Sequence, residues 1–97
     1  FRQHFPEFYA RRREILALWQ IDNRRHHLYA DMQAMLQHTF LHHTEALPLH
    51  NRHYQATVFA TIALTNMRYW LEQPTLPDIS RTFDDLQELF DWMKSVS

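Results

Sequence analysis

Residues 51–72 read NRHYQATVFATIALTNMRYWLE, and this stretch decides the fold. Spaced at about 100° per residue on a helix, its polar side shrinks to Thr57, Thr61, Thr65, Arg68 and Glu72. Val58, Ile62 and Tyr69 form one apolar side. Ala56, Phe59, Ala60, Ala63, Leu64, Met67, Trp70 and Leu71 form the other. A helix that is apolar around most of its circumference has to be covered from several directions. A chain of 97 residues has room for only a few further helices, so part of that cover is expected from a second copy.

Outward from this segment the pattern stays helical. On its N-terminal side, Leu47-Pro48-Leu49-His50 interrupts the periodicity, because proline disfavours helical geometry in the residue before it. A preceding helix is expected from a cap at Asp22 or Asn23 to about Glu45, with Leu28, Tyr29, Met32, Met35, Leu36, Thr39 and Phe40 as its core stripe. A first helix is expected from Pro6, well placed in an opening turn, to Ile21. It carries Phe5, Phe8, Tyr9, Ile15, Leu16 and Trp19 on one face. On the C-terminal side, Gln73-Pro74-Thr75-Leu76-Pro77 makes a rigid link. Asp78 then caps or opens a last helix that ends near Ser95. Its stripe is Ile79, Phe83, Leu86, Phe90 and Met93, and Leu89, Trp92 and Val96 widen the apolar arc to about half the circumference, more than a peripheral helix needs. The expected fold is an all-α bundle of four main helices in a single domain over residues 1–97. Two adjacent C-terminal helices with surplus apolar surface point to an isologous interface about a two-fold axis, two helices from each copy.

Composition removes whole classes of function. Glycine is absent, which excludes a Gly-rich phosphate loop, a dinucleotide-binding fingerprint and a Gly-based nucleophile elbow together. Cysteine is absent too, so disulfides, thiolate metal sites and cysteine nucleophiles are excluded. A reducing, cytoplasmic setting is compatible with that and is the expectation. No apolar run approaches the ~18 residues needed to span a bilayer. Net charge is −1 with no basic stripe, a poor endowment for nucleic-acid binding. Serine occurs only at Ser80, Ser95 and Ser97, near helix ends. Paired carboxylates such as Asp84-Asp85 look like solvated surface, so no catalytic constellation can be assembled and no enzyme activity is expected. The chain opens at Phe1 without methionine and already in an amphipathic pattern, which reads as a piece of a longer polypeptide.

The order FPEFYARRREILALWQ (5–20), a second long helix, ATVFATIALTNMRYWLEQ (56–73), a short proline-containing link and DISRTFDDLQELFDWM (78–93) resembles the C-terminal regulatory domain of TetR/AcrR-like transcriptional repressors. The resemblance covers nearly the whole chain. It rests on helix order, on the bulky first helix and on the apolar helix that ends in Tyr69-Trp70-Leu71. It implies that the last two helices form a homodimer interface and that the preceding ones enclose a pocket for a small-molecule effector. It further implies that DNA is read by an N-terminal helix-turn-helix domain that this chain lacks.

Several residues stand out as candidates. Arg12 sits within the apolar face of the first helix, flanked by Phe8, Leu16 and Trp19. An arginine there snorkels, pairs with a carboxylate, or faces a cavity as an effector-recognition group. Asn66 lies within the apolar arc of the long helix and needs hydrogen-bond partners, from a neighbouring helix or from a ligand. Trp19, Met32, Met35, Phe59 and Met67 would wall an internal cavity, methionine and aromatic side chains making adaptable apolar linings. With Arg12 and Asn66 they form the candidate effector set. The candidate dimer interface is Ala60, Leu64, Met67 and Leu71 with Leu89, Trp92 and Val96. Among eight histidines, His27, His38 and His42 share an outward face with Asp31. Only one close i, i+4 histidine pair falls there, whereas a functional metal site needs three or four ligands in controlled geometry. A solvated face is therefore expected, with no metal and no cofactor. Together these features predict a ligand-sensing, dimerising domain of a transcription regulator. The competing expectation is a stand-alone helical protein–protein interaction module without a ligand.

Overall fold

The computed structural model describes residues 2–96. A short 3-10 turn, Arg2–His4, leads into α1 (Phe5–Ala10), followed by α2 (Arg12–Trp19), α3 (Leu28–His43), α4 (Arg52–Leu71) and α5 (Ser80–Val96). No strand occurs among the described residues, so the protein is all-α, built from five helices where four were expected.

The additional helix comes from a break at Arg11. Its amide donates to the Phe8 carbonyl at 3.2 Å, a tightened i→i−3 bond, and its φ and ψ of −97° and 17° leave helical geometry. The local sequence holds no glycine or proline at this point, and the apolar spacing runs through it unbroken, so periodicity alone does not reveal the break. Pro6 stands in the opening turn of α1 as expected.

The start of α3 is later than expected, and the reason lies in Asn23. Its Oδ1 accepts the amides of Arg25 at 2.9 Å and His26 at 3.0 Å, as an N-cap would. Its own amide, however, donates to the His26 carbonyl at 3.0 Å. That bond closes a self-contained turn, and His27, with φ −141°, breaks away before the helix begins. Such Asx turns compete locally with helix capping. The face of α3 also differs from expectation. Leu28, Tyr29, Met32, Leu36 and Phe40 are half-buried, whereas Met35 and Thr39 lie outside. Apolar residues occur on both sides of this helix, so its rotation is decided by what it packs on.

What it packs on is α4. Among the described residues, six of the ten buried apolar side chains belong to this one helix: Ala56, Ala60, Leu64, Met67, Trp70 and Leu71. Its start matches the expected cap, with the Asn51 carboxamide accepting the Tyr54 amide at 3.3 Å. Phe5 and Tyr9 of α1 and Trp19 of α2 complete the core with Ile79, and Phe8, Ile15, Leu16, Tyr29, Met32 and Leu36 pack around it. Phe5 meets the Trp70 ring edge to face at 5.5 Å and 76°, Trp19 meets Tyr29 at 5.6 Å and 84°, and Phe40 tilts against Phe59 at 5.5 Å. Each such pair adds ~0.5–1.5 kcal/mol beyond area burial. The Tyr9 hydroxyl donates to the Gln73 carbonyl at 2.5 Å, which fixes α1 to the end of α4.

α5 is held differently. Asp78 Oδ1 accepts the Ser80 amide at 3.1 Å and so stands at its entry, as expected. Buried Ile79 precedes it, and Trp70 Nε1 donates to Thr82 Oγ1 at 2.9 Å. Beyond this anchorage none of the described α5 residues is buried. The expected packed bundle therefore comprises α1 to α4, with α5 joined to it chiefly through its first turn.

Candidate functional site

The placement of α5 leaves an apolar cleft of about 450 Å³ between it and α4. Phe59, Ile62, Ala63, Asn66, Met67 and Trp70 form the α4 wall, Phe83, Leu86 and Phe90 form the α5 wall, and Leu36 of α3 reaches one edge. On α4, Ile62, Ala63 and Asn66 adjoin the core stripe to which Met67 and Trp70 belong, so the cleft opens onto the part of the wide apolar arc that α1 to α3 cover incompletely. Phe59, Phe83 and Phe90 remain exposed at the mouth. Among the described residues no charged side chain lines the cleft. Trp70 presents only its ring surface, since its N–H is committed to Thr82. Asn66 is the one amide in the lining, and its side chain has no hydrogen-bond partner among the described residues.

The seven candidate effector residues do not converge. Phe59, Asn66 and Met67 meet at this cleft. Trp19 and Met32 are spent on the core: the indole N–H donates to the Met32 sulfur at 3.2 Å, and the ring is buried against Tyr29. Their close packing corrects the expectation that they wall a cavity. Met35 points away from the core and is more than half exposed. Arg12 folds back across the break onto α1. Its guanidinium lies 4.3 Å from the Tyr9 ring centroid and donates to the Tyr9 carbonyl at 3.3 Å, so aromatic stacking takes the place of a cavity anion or a buried carboxylate. The residues that complete the cleft, Ile62, Ala63, Phe83, Leu86 and Phe90, read in sequence as ordinary apolar stripe. Their signal was the surplus width of the two C-terminal apolar arcs.

The candidate interface residues also divide. Ala60, Leu64 and Leu71 are at most 1% exposed, and Met67 is buried. Ala60, Leu64 and Leu71 are enclosed by the chain's own fold and offer no surface to a second copy, and Met67 only edges the cleft, which corrects that half of the expected interface. Leu89, Trp92 and Val96 are exposed on α5. With Met93 they leave roughly 400 Å² of apolar surface in water, taking ~200 Å² per full side chain and about half of it exposed, and Phe83 and Phe90 continue the arc into the cleft. The largest apolar patch on a typical monomer is ~300–600 Å², and a standard interface buries ~800 Å² per partner.

The histidine face stays dispersed. His27 Nδ1 and Asp31 Oδ1 are 2.9 Å apart at an exposed position. No group of three or more metal-ligating side chains is found among the described residues.

Sequence reasoning missed Arg52. Half-buried at the start of α4, it donates to the Leu41 carbonyl and, at 3.3 Å, to Thr44 Oγ1. Leu41 lies in the last turn of α3, where carbonyls lack helical donors. Thr44 occupies the neighbouring Phe40 carbonyl with its amide at 3.0 Å and its hydroxyl at 2.7 Å. Arg52 thus pins the end of one helix to the beginning of the next. Its Nε and the Gln55 Oε1 are buried without a partner among the described residues. No sequence periodicity marks this role, because it depends on how the α3–α4 loop folds back.

Among the described residues no helix is long and apolar enough to cross a membrane. Comparison of the chain with family models, with curated proteins and with solved structures yields no match.

Proposed function

We propose that this chain is the dimerising, ligand-sensing half of a TetR-like transcription regulator, pairing with a second copy through α5. The observation that carries the proposal is the apolar half of α5, with Leu89, Trp92 and Val96 exposed on a helix that has no buried residue among those described. An uncovered face of this size is costly in water at ~25 cal/mol per Å². The same surface on a two-fold-related copy is a self-complementary cover. The order of helices supports the regulator reading. The cleft beside the exposed face supports ligand sensing, since an effector held between α4 and α5 acts on the helix that forms the dimer. Binding would favour one arrangement of that dimer and so shift the spacing of two DNA-reading heads on a separate helix-turn-helix domain.

Sedimentation velocity at tens of micromolar tests the pairing. The wild-type chain is expected to sediment as a dimer, and the Leu89→Glu/Trp92→Glu double variant as a monomer with unchanged helical circular dichroism. A soluble wild-type monomer at that concentration would refute the reading.

A further inference from the structure

We infer that the α4–α5 cleft binds an uncharged, largely hydrocarbon or aromatic molecule carrying one hydroxyl, carbonyl or amide, with Asn66 as its hydrogen-bonding contact. The inference gives the ligand-sensing proposal a site and a ligand class. It rests on that reading only for the consequence of binding, since occupancy of the cleft is measured separately.

Three features define the ligand. The first is size. A volume of about 450 Å³ falls within the ~300–1,000 Å³ of small-molecule sites. The cleft is adequate for a compact ligand. The second is charge. Among the described residues the walls contain no acidic or basic side chain, so a carboxylate, phosphate or ammonium entering the cleft would lose hydration with no charged partner there to replace it. The structure separates Arg12, stacked on Tyr9, from this site, and an anionic ligand is disfavoured accordingly. The third is the single polar contact. Trp70 has already given its N–H to Thr82, whereas Asn66 retains both a carbonyl acceptor and an NH2 donor. An amide amid apolar walls orients a ligand that supplies one complementary group.

Fluorescence titration with N-phenylnaphthylamine, neutral and apolar, tests the site. The titration is run on the full chain and on the Leu89→Glu/Trp92→Glu variant, where no dimer competes. Saturable binding of one probe per chain is expected in both. Anilinonaphthalene sulfonate, the same skeleton with an anionic group, should bind at least about tenfold more weakly. Decanol should displace the probe, and ionised decanoate should not. Ala63→Phe, which fills the floor of the cleft, should abolish saturable binding without lowering the unfolding temperature. Asn66→Leu should weaken decanol about three- to tenfold, the value of one hydrogen bond, and keep the probe bound.

Equal or tighter binding of the anionic compounds would overturn the inference. So would probe binding that ignores Ala63→Phe, which would place the probe on the outer face of α5, or decanol affinity that ignores Asn66→Leu. Should Ala63→Phe fail to fold, the Asn66→Leu comparison decides alone. A monomeric wild type that binds the probe as described would refute the dimer and leave the cleft standing. A dimer that binds no probe in either form of the protein would do the reverse.

Discussion

Arg52→Met is expected to destabilise the protein by about 1–2 kcal/mol, and the estimate follows from opposing contributions at one side chain. A hydrogen bond from a charged donor contributes ~1.5–3 kcal/mol, and the Leu41 carbonyl receives one from Arg52. The 3.3 Å approach to Thr44 Oγ1 adds little. A cation at the end of α3 gains a further ~0.3–1 kcal/mol from the helix dipole. Against this, Nε is buried without a partner among the described residues, at a cost of ~1–3 kcal/mol that methionine relieves. Methionine also keeps most of the aliphatic stem in place. The capping contribution is the larger sum, and the difference is the predicted loss. For a chain of this length each kcal/mol moves the unfolding midpoint by roughly 4–8 °C, so the variant should melt about 5–15 °C lower. The measurement is thermal and urea unfolding of both proteins at one fixed protein concentration, because a dimer couples stability to concentration. Amide hydrogen exchange should show the loss concentrated over Leu41–Thr44. Arg52→Lys should fall between the two, supplying a donor without the buried Nε. A methionine variant as stable as wild type, or more so, would show that the unpartnered Nε outweighs the cap and would refute the reasoning.

The other arginine singled out by sequence should behave in the opposite way. Arg12→Met is expected to cost no more than ~1 kcal/mol, the value of an exposed cation–π contact, and a loss of 3 kcal/mol or more, as roughly expected for a broken buried ion pair, would contradict the packing described. Thr82→Val, which leaves the Trp70 N–H without its acceptor, should cost about 1–3 kcal/mol and loosen the attachment of α5; trypsin cleavage after Arg81 should accelerate, and an unchanged rate would show that α5 is held by something else. The isolated chain should show only weak, sequence-independent retention in mobility-shift titrations at physiological salt, because Lys94 and nine arginines face eleven acids and phosphate contacts need clustered basic residues.

Much of the architecture was legible in residue order alone. The absence of glycine and the helical spacing of apolar residues leave an all-α chain, and the ends of α4 were readable from Asn51 and from Gln73-Pro74, because caps and proline act locally. Surplus apolar width on α4 and α5 was legible as well, since it is a property of each helix taken singly. What covers that surplus depends on rotation and distance between helices, and only the tertiary structure decided it. It turned Ala60, Leu64 and Leu71 into the core of one chain, left Leu89, Trp92 and Val96 in water, and opened the cleft at Asn66 where α4 and α5 fail to meet. It also stacked Arg12 on Tyr9 and assigned a structural role to Arg52, because a long side chain takes its partner from whatever the fold brings within reach, and no spacing along the chain records that distance.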